Sequence, residues 1–172
     1  MSTDLQPGDI LPTRTLPPLA GGSPVRLGPH RRRSQVVVVT HLQPCDECAD
    51  YLTALAVVSD RIRAEKADLI AVVGPAWGER ASSLPVGLVE DRTISDSLSP
   101  MATPVVVVAD RFGQLFHLFD AGSEHRFPGH ERVLAVLLDI AIRCPECGVP
   151  DVPSLTSLPE PGTTSGGMRL GQ

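Results

Sequence analysis

Residues Gln35-Val36-Val37-Val38-Val39-Thr40 form a continuous β-branched run. A strand built from it is apolar on both faces, so both must be covered by the rest of the chain. Leu69-Ile70-Ala71-Val72-Val73 and Val105-Val106-Val107-Val108-Ala109 share this character. Between the first two runs, Cys48, Leu52, Leu55, Ala56 and Ile62 recur at the spacing of a helix, predicted from Cys45 to about Ala67. Asp46, Glu47 and Asp50 lie in its first turns, and Arg61, Arg63 and Lys66 lie near its end. Both sets of charges suit the helix dipole and fix the direction of the helix independently of the apolar pattern. Strand, helix and strand within about 40 residues make a βαβ unit with parallel strands and a right-handed crossover.

Further along, a short strand is expected at Val86–Glu90. Thr103-Pro104 leads into the third run, Asp110-Arg111-Phe112-Gly113 is a turn sequence, and Gln114–Phe119 alternates as a return strand. A last helix is expected from about His130 to Arg143, with a broad apolar stripe from Val133 to Ala141. Residues 1–34 read as an irregular arm with one small hairpin about Gly21-Gly22. The expected division is one α/β domain over 1–147 and a disordered Pro/Gly/Ser-rich tail over 148–172.

The 172 residues suit a single domain, and 15 basic against 20 acidic side chains give a formal charge of −5. That balance, with six aromatic residues (Phe, Trp and Tyr), argues against a nucleic-acid binder. No apolar run approaches the ~20 residues of a membrane span, and Met1-Ser2-Thr3-Asp4 does not open a signal peptide. A cytoplasmic protein is expected. The four cysteines form two Cys-x-x-Cys pairs, Cys45/Cys48 and Cys144/Cys147. In a reducing compartment such pairs are redox-active or metal-binding.

The first pair sits where a strand hands over to a helix. A helix N-terminus offers unpaired N–H groups and partial positive charge, which favour a thiolate nucleophile. Cys45 is expected to attack a partner disulfide, and Cys48, one turn on, to resolve the mixed disulfide. Asp46 and Glu47 oppose the dipole by repelling a thiolate. His41, four residues upstream, can counter them if it lies nearby. His30, His117, His125 and His130 show no ligand spacing, and the charged stretch Glu124–Glu131 reads as a solvated connection.

The order β-α-β, β-hairpin, α, with Cys-x-x-Cys after the first main strand, resembles the thioredoxin-like fold: a central mixed sheet flanked by helices. More closely, the chain is similar to the redoxin group of alkyl hydroperoxide reductase and thiol-specific antioxidant proteins (AhpC/TSA), which is peroxiredoxin-related. The residues that carry this are Pro7-Gly8-Asp9, Leu16, Val25-Arg26-Leu27, Gln35–Thr40 running into Cys45-Asp46-Glu47-Cys48, Thr103-Pro104 and Asp110-Arg111-Phe112-Gly113. The resemblance covers roughly residues 5–143. It implies catalytic roles for Cys45, Cys48 and Pro104, with Pro104 after a cis peptide bond and facing the cysteines. It implies no required cofactor, a protein disulfide or small peroxide as substrate, and a homodimer as one possible assembly.

The sequence departs from the peroxiredoxin pattern Pro-x-x-x-Thr-x-x-Cys. With Cys48 as its cysteine the Pro and Thr places hold His41 and Cys45; with Cys45 they hold Val38 and Leu42. Arg111 and Arg126 are the candidates for an assisting arginine, and spacing selects neither.

Cys144-Pro145-Glu146-Cys147-Gly148 looks like a zinc knuckle, which supplies two of the four ligands that a structural zinc needs. A last helix of about 14 residues covers about 21 Å and carries Cys144 away from Cys45. The second pair can share a metal between two chains, exchange electrons with a partner chain's first pair, or close its own disulfide. Two functions follow: a thiol-disulfide oxidoreductase of the redoxin type, with peroxide reduction kept open, or a protein that holds zinc or an iron–sulfur centre through its Cys-x-x-Cys pairs.

Overall fold

The computed structural model describes residues 5–19, 23–29, 32–81, 87–90 and 103–143. Cys144, Cys147, the tail expected over 148–172, Gly21-Gly22 and His30 lie outside the described residues.

The elements run β1 (Arg14–Leu16), β2 (Val25–Leu27), β3 (Ser34–Val39), α1 (Asp46–Val57), α2 (Ser59–Ala64), β4 (Ala67–Val73), a 3-10 turn Pro75–Trp77, α3 (Gly78–Ala81), β5 (Gly87–Glu90), β6 (Val105–Ala109), β7 (Leu115–Asp120) and α4 (His130–Ile142). β1 and β2 pair antiparallel as a small ribbon. The other five strands form one sheet in the order β5-β4-β3-β6-β7. β3, β4 and β5 are parallel, whereas β6 is antiparallel to both β3 and β7. The valine run Val36–Val39 is thus the central strand, fully buried along its length.

Period-2 alternation splits these valines between two cores. Val36, Val38, Val106 and Val108 meet Leu52 and Leu55 of α1, Ile62 of α2, and Val133 and Leu137 of α4. Val37, Val39, Val105 and Val107 meet Leu11, Leu16 and Leu27 of the N-terminal arm. The arm therefore does on one face what the helices do on the other. Its backbone also extends the sheet edge: Gly8 N–H donates to Leu115 O, and Leu115 N–H donates to Asp9 O, both at 2.8 Å.

The single helix expected from Cys45 to Ala67 is two helices. Val58 leaves helical geometry at φ −99°, ψ 11°, and its N–H bonds back to Leu55 O and Ala56 O. Cys48, Leu52, Leu55 and Ile62 nevertheless stay on one buried face, so the interruption does not shift the apolar phase. Arg61 ties this segment to α4 through Glu131, at 2.8 and 3.2 Å.

The strand directions place several loops together. β3 and β7 end, and β6 begins, at one edge of the sheet: Val39 stands opposite Val105, and Val105 opposite Asp120. The segment from Thr40 to Cys45, the turn after β4, Pro104, and the loop from Ala121 to Gly129 all gather there. Among the described residues no helix is long and apolar enough to cross a membrane.

Candidate redox site at the end of the sheet

Cys45 is the N-cap of α1, with extended backbone at φ −140°, ψ 134°, and its carbonyl accepts the Ala49 N–H at 3.1 Å. Its sulfur makes no capping bond to the helix. The partly buried Sγ instead lies 3.2 Å from Glu47 Oε2, to which the thiol donates, and 3.1 Å from His125 Nε2. The expected helix N–H groups are therefore not what the sulfur touches. A carboxylate and an imidazole are.

Cys48 points into the core and is fully buried. Burial pushes its thiol up to about 12, and the neighbouring Cys45 adds to the rise, partly offset by a bond from the His41 backbone. Both cysteines are free thiols, and their sulfurs lie within 4.8 Å of each other. Glu47 is exposed, and its carboxyl is held below the usual carboxylate range, first by its own backbone N–H and then by the Cys45 thiol.

His41, which by its place in the sequence counters the carboxylates only if it lies nearby, does lie at the site. Its Nε2 is 2.9 Å from His125 Nε2, with the rings edge to face. Two features hold His41 in place. Its carbonyl accepts the indole N–H of the fully buried Trp77 at 2.8 Å. Behind it, Gly74 packs so tightly against the Leu42 backbone that no side chain fits between them.

His125 is the residue of this cluster that sequence spacing did not select. It lies in the stretch read as a solvated connection, in left-handed backbone at φ 54°. Histidine is among the few residues enriched there. The Ala121 N–H donates to Pro104 O, and the Arg126 N–H to Ala121 O, each at 2.9 Å. Phe127 stacks flat on Tyr51 of α1, with centroids 4.2 Å apart. The loop is thereby fastened to both β6 and α1, and His125 is delivered to Cys45.

Three expectations change. The Thr103–Pro104 bond is not cis, because no cis peptide occurs among the described residues. The trans form, favoured by about 0.5–1 kcal/mol before proline, carries the chain extended into β6, where the Pro104 carbonyl prolongs the pairing with the segment after β7. Pro104 is buried at the cysteine end of the sheet, as its place before β6 requires. Arg111 lies in the β6–β7 turn at the opposite end, over the Phe112 ring, and assists nothing at Cys45. Arg126 adjoins His125, but its guanidinium pairs with Glu124 on the surface. At the far end of α4, Arg143 lines a cavity with Ser34 and Lys66, beyond the start of β3 and away from Cys45.

The described architecture is a thioredoxin-like fold. The chain is similar to AhpC from Mycobacterium tuberculosis, with TM-score 0.61, 21% identity, and coverage of 82% of this chain and 95% of that one. It is similar to a peroxiredoxin-like protein from Aquifex aeolicus, with TM-score 0.64, 12% identity, and coverage of 80% and 89%. A putative thiol:disulfide interchange protein DsbE from Chlorobium tepidum aligns at TM-score 0.56 and 17% identity over 78% and 99%. No protein-family model matches the chain, and no curated protein matches it.

Proposed function

We propose that the protein is a thiol-disulfide oxidoreductase that uses Cys45 as nucleophile and Cys48 as resolving thiol. The observation that carries this is the asymmetry of the pair: one sulfur is reachable and touched by two proton acceptors, and the other is buried one turn behind it.

The Cys45 thiol gives up its proton to His125 or Glu47, and the sulfur attacks one sulfur of a partner disulfide. A Cys45–partner S–S bond forms, the partner's own S–S bond breaks, and its second sulfur leaves with the electron pair and is protonated. Cys48 loses its proton to the same cluster and attacks Cys45 Sγ. The Cys45–partner S–S bond breaks, the partner sulfur that Cys45 had attacked leaves with the electron pair and is protonated, and an intramolecular Cys45–Cys48 disulfide remains. The partner gains two electrons and two protons, and this chain loses them. Burial holds the proton on Cys48, so resolution requires the cluster to remove it. A protein disulfide is the better substrate here. Peroxide reduction is supported less, because His41 and Cys45 occupy the Pro and Thr places of the peroxidatic motif when Cys48 is taken as its cysteine.

The test is a redox titration with alkylation and mass spectrometry of all four cysteines. Cys45 and Cys48 are expected to oxidise together, in the range of roughly −270 to −200 mV typical of dithiol oxidoreductases. Cys45→Ser should abolish exchange, and Cys48→Ser should trap the mixed disulfide. Equal exchange by wild type and Cys45→Ser would overturn the assignment. Any linkage to Cys144 or Cys147 would reveal a relay to the second pair.

A further inference from the structure

Four soft or borderline metal donors converge on one point of this site. Cys45 Sγ, Cys48 Sγ and one ring nitrogen each of His41 and His125 all lie within 4.8 Å of one another. Two of the separations are shorter: 2.9 Å between the two Nε2 atoms and 3.1 Å from His125 Nε2 to Cys45 Sγ. Around a tetrahedral zinc, with Zn–S near 2.3 Å and Zn–N near 2.0–2.1 Å, such donors stand about 3.3–3.8 Å apart. The observed cluster brackets that spacing, so side-chain shifts on the order of 1 Å complete the tetrahedron.

The hydrogen bonding points the same way. Each Nε2 of the histidine pair can be a donor or an acceptor, so only one proton can lie between them, while Cys45 competes for His125 Nε2 as well. A cation at the centre uses all of these lone pairs at once. Charge also balances: two thiolates neutralise a divalent ion and the imidazoles are neutral ligands, which suits a partly buried position. The Glu47 carboxylate beside Cys45 adds attraction for a cation.

We infer that the reduced site binds one zinc ion per chain through Cys45, Cys48, His41 and His125, without the second cysteine pair or a partner chain. This rests on the same cysteines as the redox reading but needs both histidines, which that reading does not. Binding exchanges protons for metal: Zn2+ and two thiols give a dithiolate complex and two released protons, with no electron transfer. It follows that zinc masks the nucleophile and that a Cys45–Cys48 disulfide cannot bind it.

The experiment uses the full chain carrying Cys144→Ser and Cys147→Ser, reduced and titrated with Zn2+ against a chromophoric chelator. One equivalent should bind. Loss of an outer-shell partner typically costs about 10–100-fold in affinity, so His41→Ala and His125→Ala, which remove ligands, should each cost at least that much. Cobalt substitution in the same chain requires no change at the site. It should give the ligand-field bands of tetrahedral Co2+ together with thiolate charge-transfer absorption. Zinc affinity indifferent to both histidine substitutions, or an octahedral cobalt spectrum, would overturn the inference. So would loss of binding on removing Cys144 and Cys147. The two readings fail separately. Disulfide exchange at Cys45 without zinc binding removes the zinc site alone, and zinc binding with a Cys45 inert to disulfides removes the oxidoreductase alone.

Discussion

Gly74 is the residue whose replacement tests most directly how the site is held. A Cβ built there would stand 2.6 Å from Leu42 Cα and 2.8 Å from Leu42 C, and closer still to the Leu42 carbonyl oxygen. Carbon contacts are most favourable at about 3.5–4.0 Å, so Gly74→Ala forces the Leu42 backbone back by roughly 1 Å. No rotamer change relieves this, because the clashing atoms are all backbone. If the loop stays, the cost is overpacking strain of about 1–3 kcal/mol. If the loop retreats, it pulls the His41 carbonyl off the buried Trp77 indole and leaves that donor unpaired. A buried unpaired donor also costs about 1–3 kcal/mol. A net loss of about 2–3 kcal/mol is expected, roughly 30- to 150-fold in the folding equilibrium. Urea unfolding followed by circular dichroism should show a lower midpoint with unchanged slope. Gly78→Ala is the control: nothing lies within 4 Å of its Cβ, so its effect should stay within about 0.5 kcal/mol. If Gly74→Ala is as stable as Gly78→Ala, the tight apposition of β4 to the His41 segment is wrong. The retreating loop should also move His41 off His125, so affinity for zinc should fall along with stability.

Three further outcomes follow from the site. Cys48 is held protonated in the folded chain up to about pH 12, whereas an unfolded chain releases that proton earlier. Its stabilising contribution is therefore complete below the unfolded value and is lost as pH rises through the alkaline range, by at most about 1.4 kcal/mol per pH unit. Reduced Cys48→Ala should lack this part of the slope in a comparison of unfolding curves from pH 8.5 upward, and an identical slope would refute it. Replacing His125 by Ala removes the imidazole from Cys45 Sγ. A hydrogen bond to an ionised sulfur is worth about 1.5–3 kcal/mol, so exchange with a small disulfide at neutral pH should slow by roughly 10- to 150-fold. The pH–rate curve should change shape as well, which a purely structural defect would not produce. Tyr51 stacks on Phe127, and its buried hydroxyl has no hydrogen-bond partner among the described residues. Tyr51→Phe should therefore be neutral or stabilising in thermal unfolding, and a loss above about 1 kcal/mol would reveal a partner for the hydroxyl.

The fold was legible wherever one residue pattern had one physical solution. The valine run of β3 had to be covered on both faces, and the arm and the helices cover it. Strand, helix and strand within about 40 residues implied the parallel pairing of β3 and β4, which is present. The break at Val58 was invisible because Cys48, Leu52, Leu55 and Ile62 keep one phase across it. In the site, Cys45, Cys48 and His41 are close in sequence, and local spacing brings them together. His125 lies 80 residues from Cys45, and spacing says nothing about it. The signal that could have found it is topological. A hairpin whose first strand runs antiparallel to β3 must end its second strand at the cysteine end, so the next loop hangs over the site. The bond before Pro104 followed from resemblance rather than from a local force, and there the extended entry to β6 prevailed.

Trp77 is the only tryptophan in the chain. Its indole is sealed in the core and hydrogen-bonded to the carbonyl of a residue whose side chain reaches His125. Any event that shifts the His41 segment must lengthen or turn that bond. The protein thus contains its own fluorophore in the core cluster against which Cys45 packs, with no second indole to blur its emission. A displacement of the His41 segment can therefore be followed in unlabelled protein by light from a single side chain.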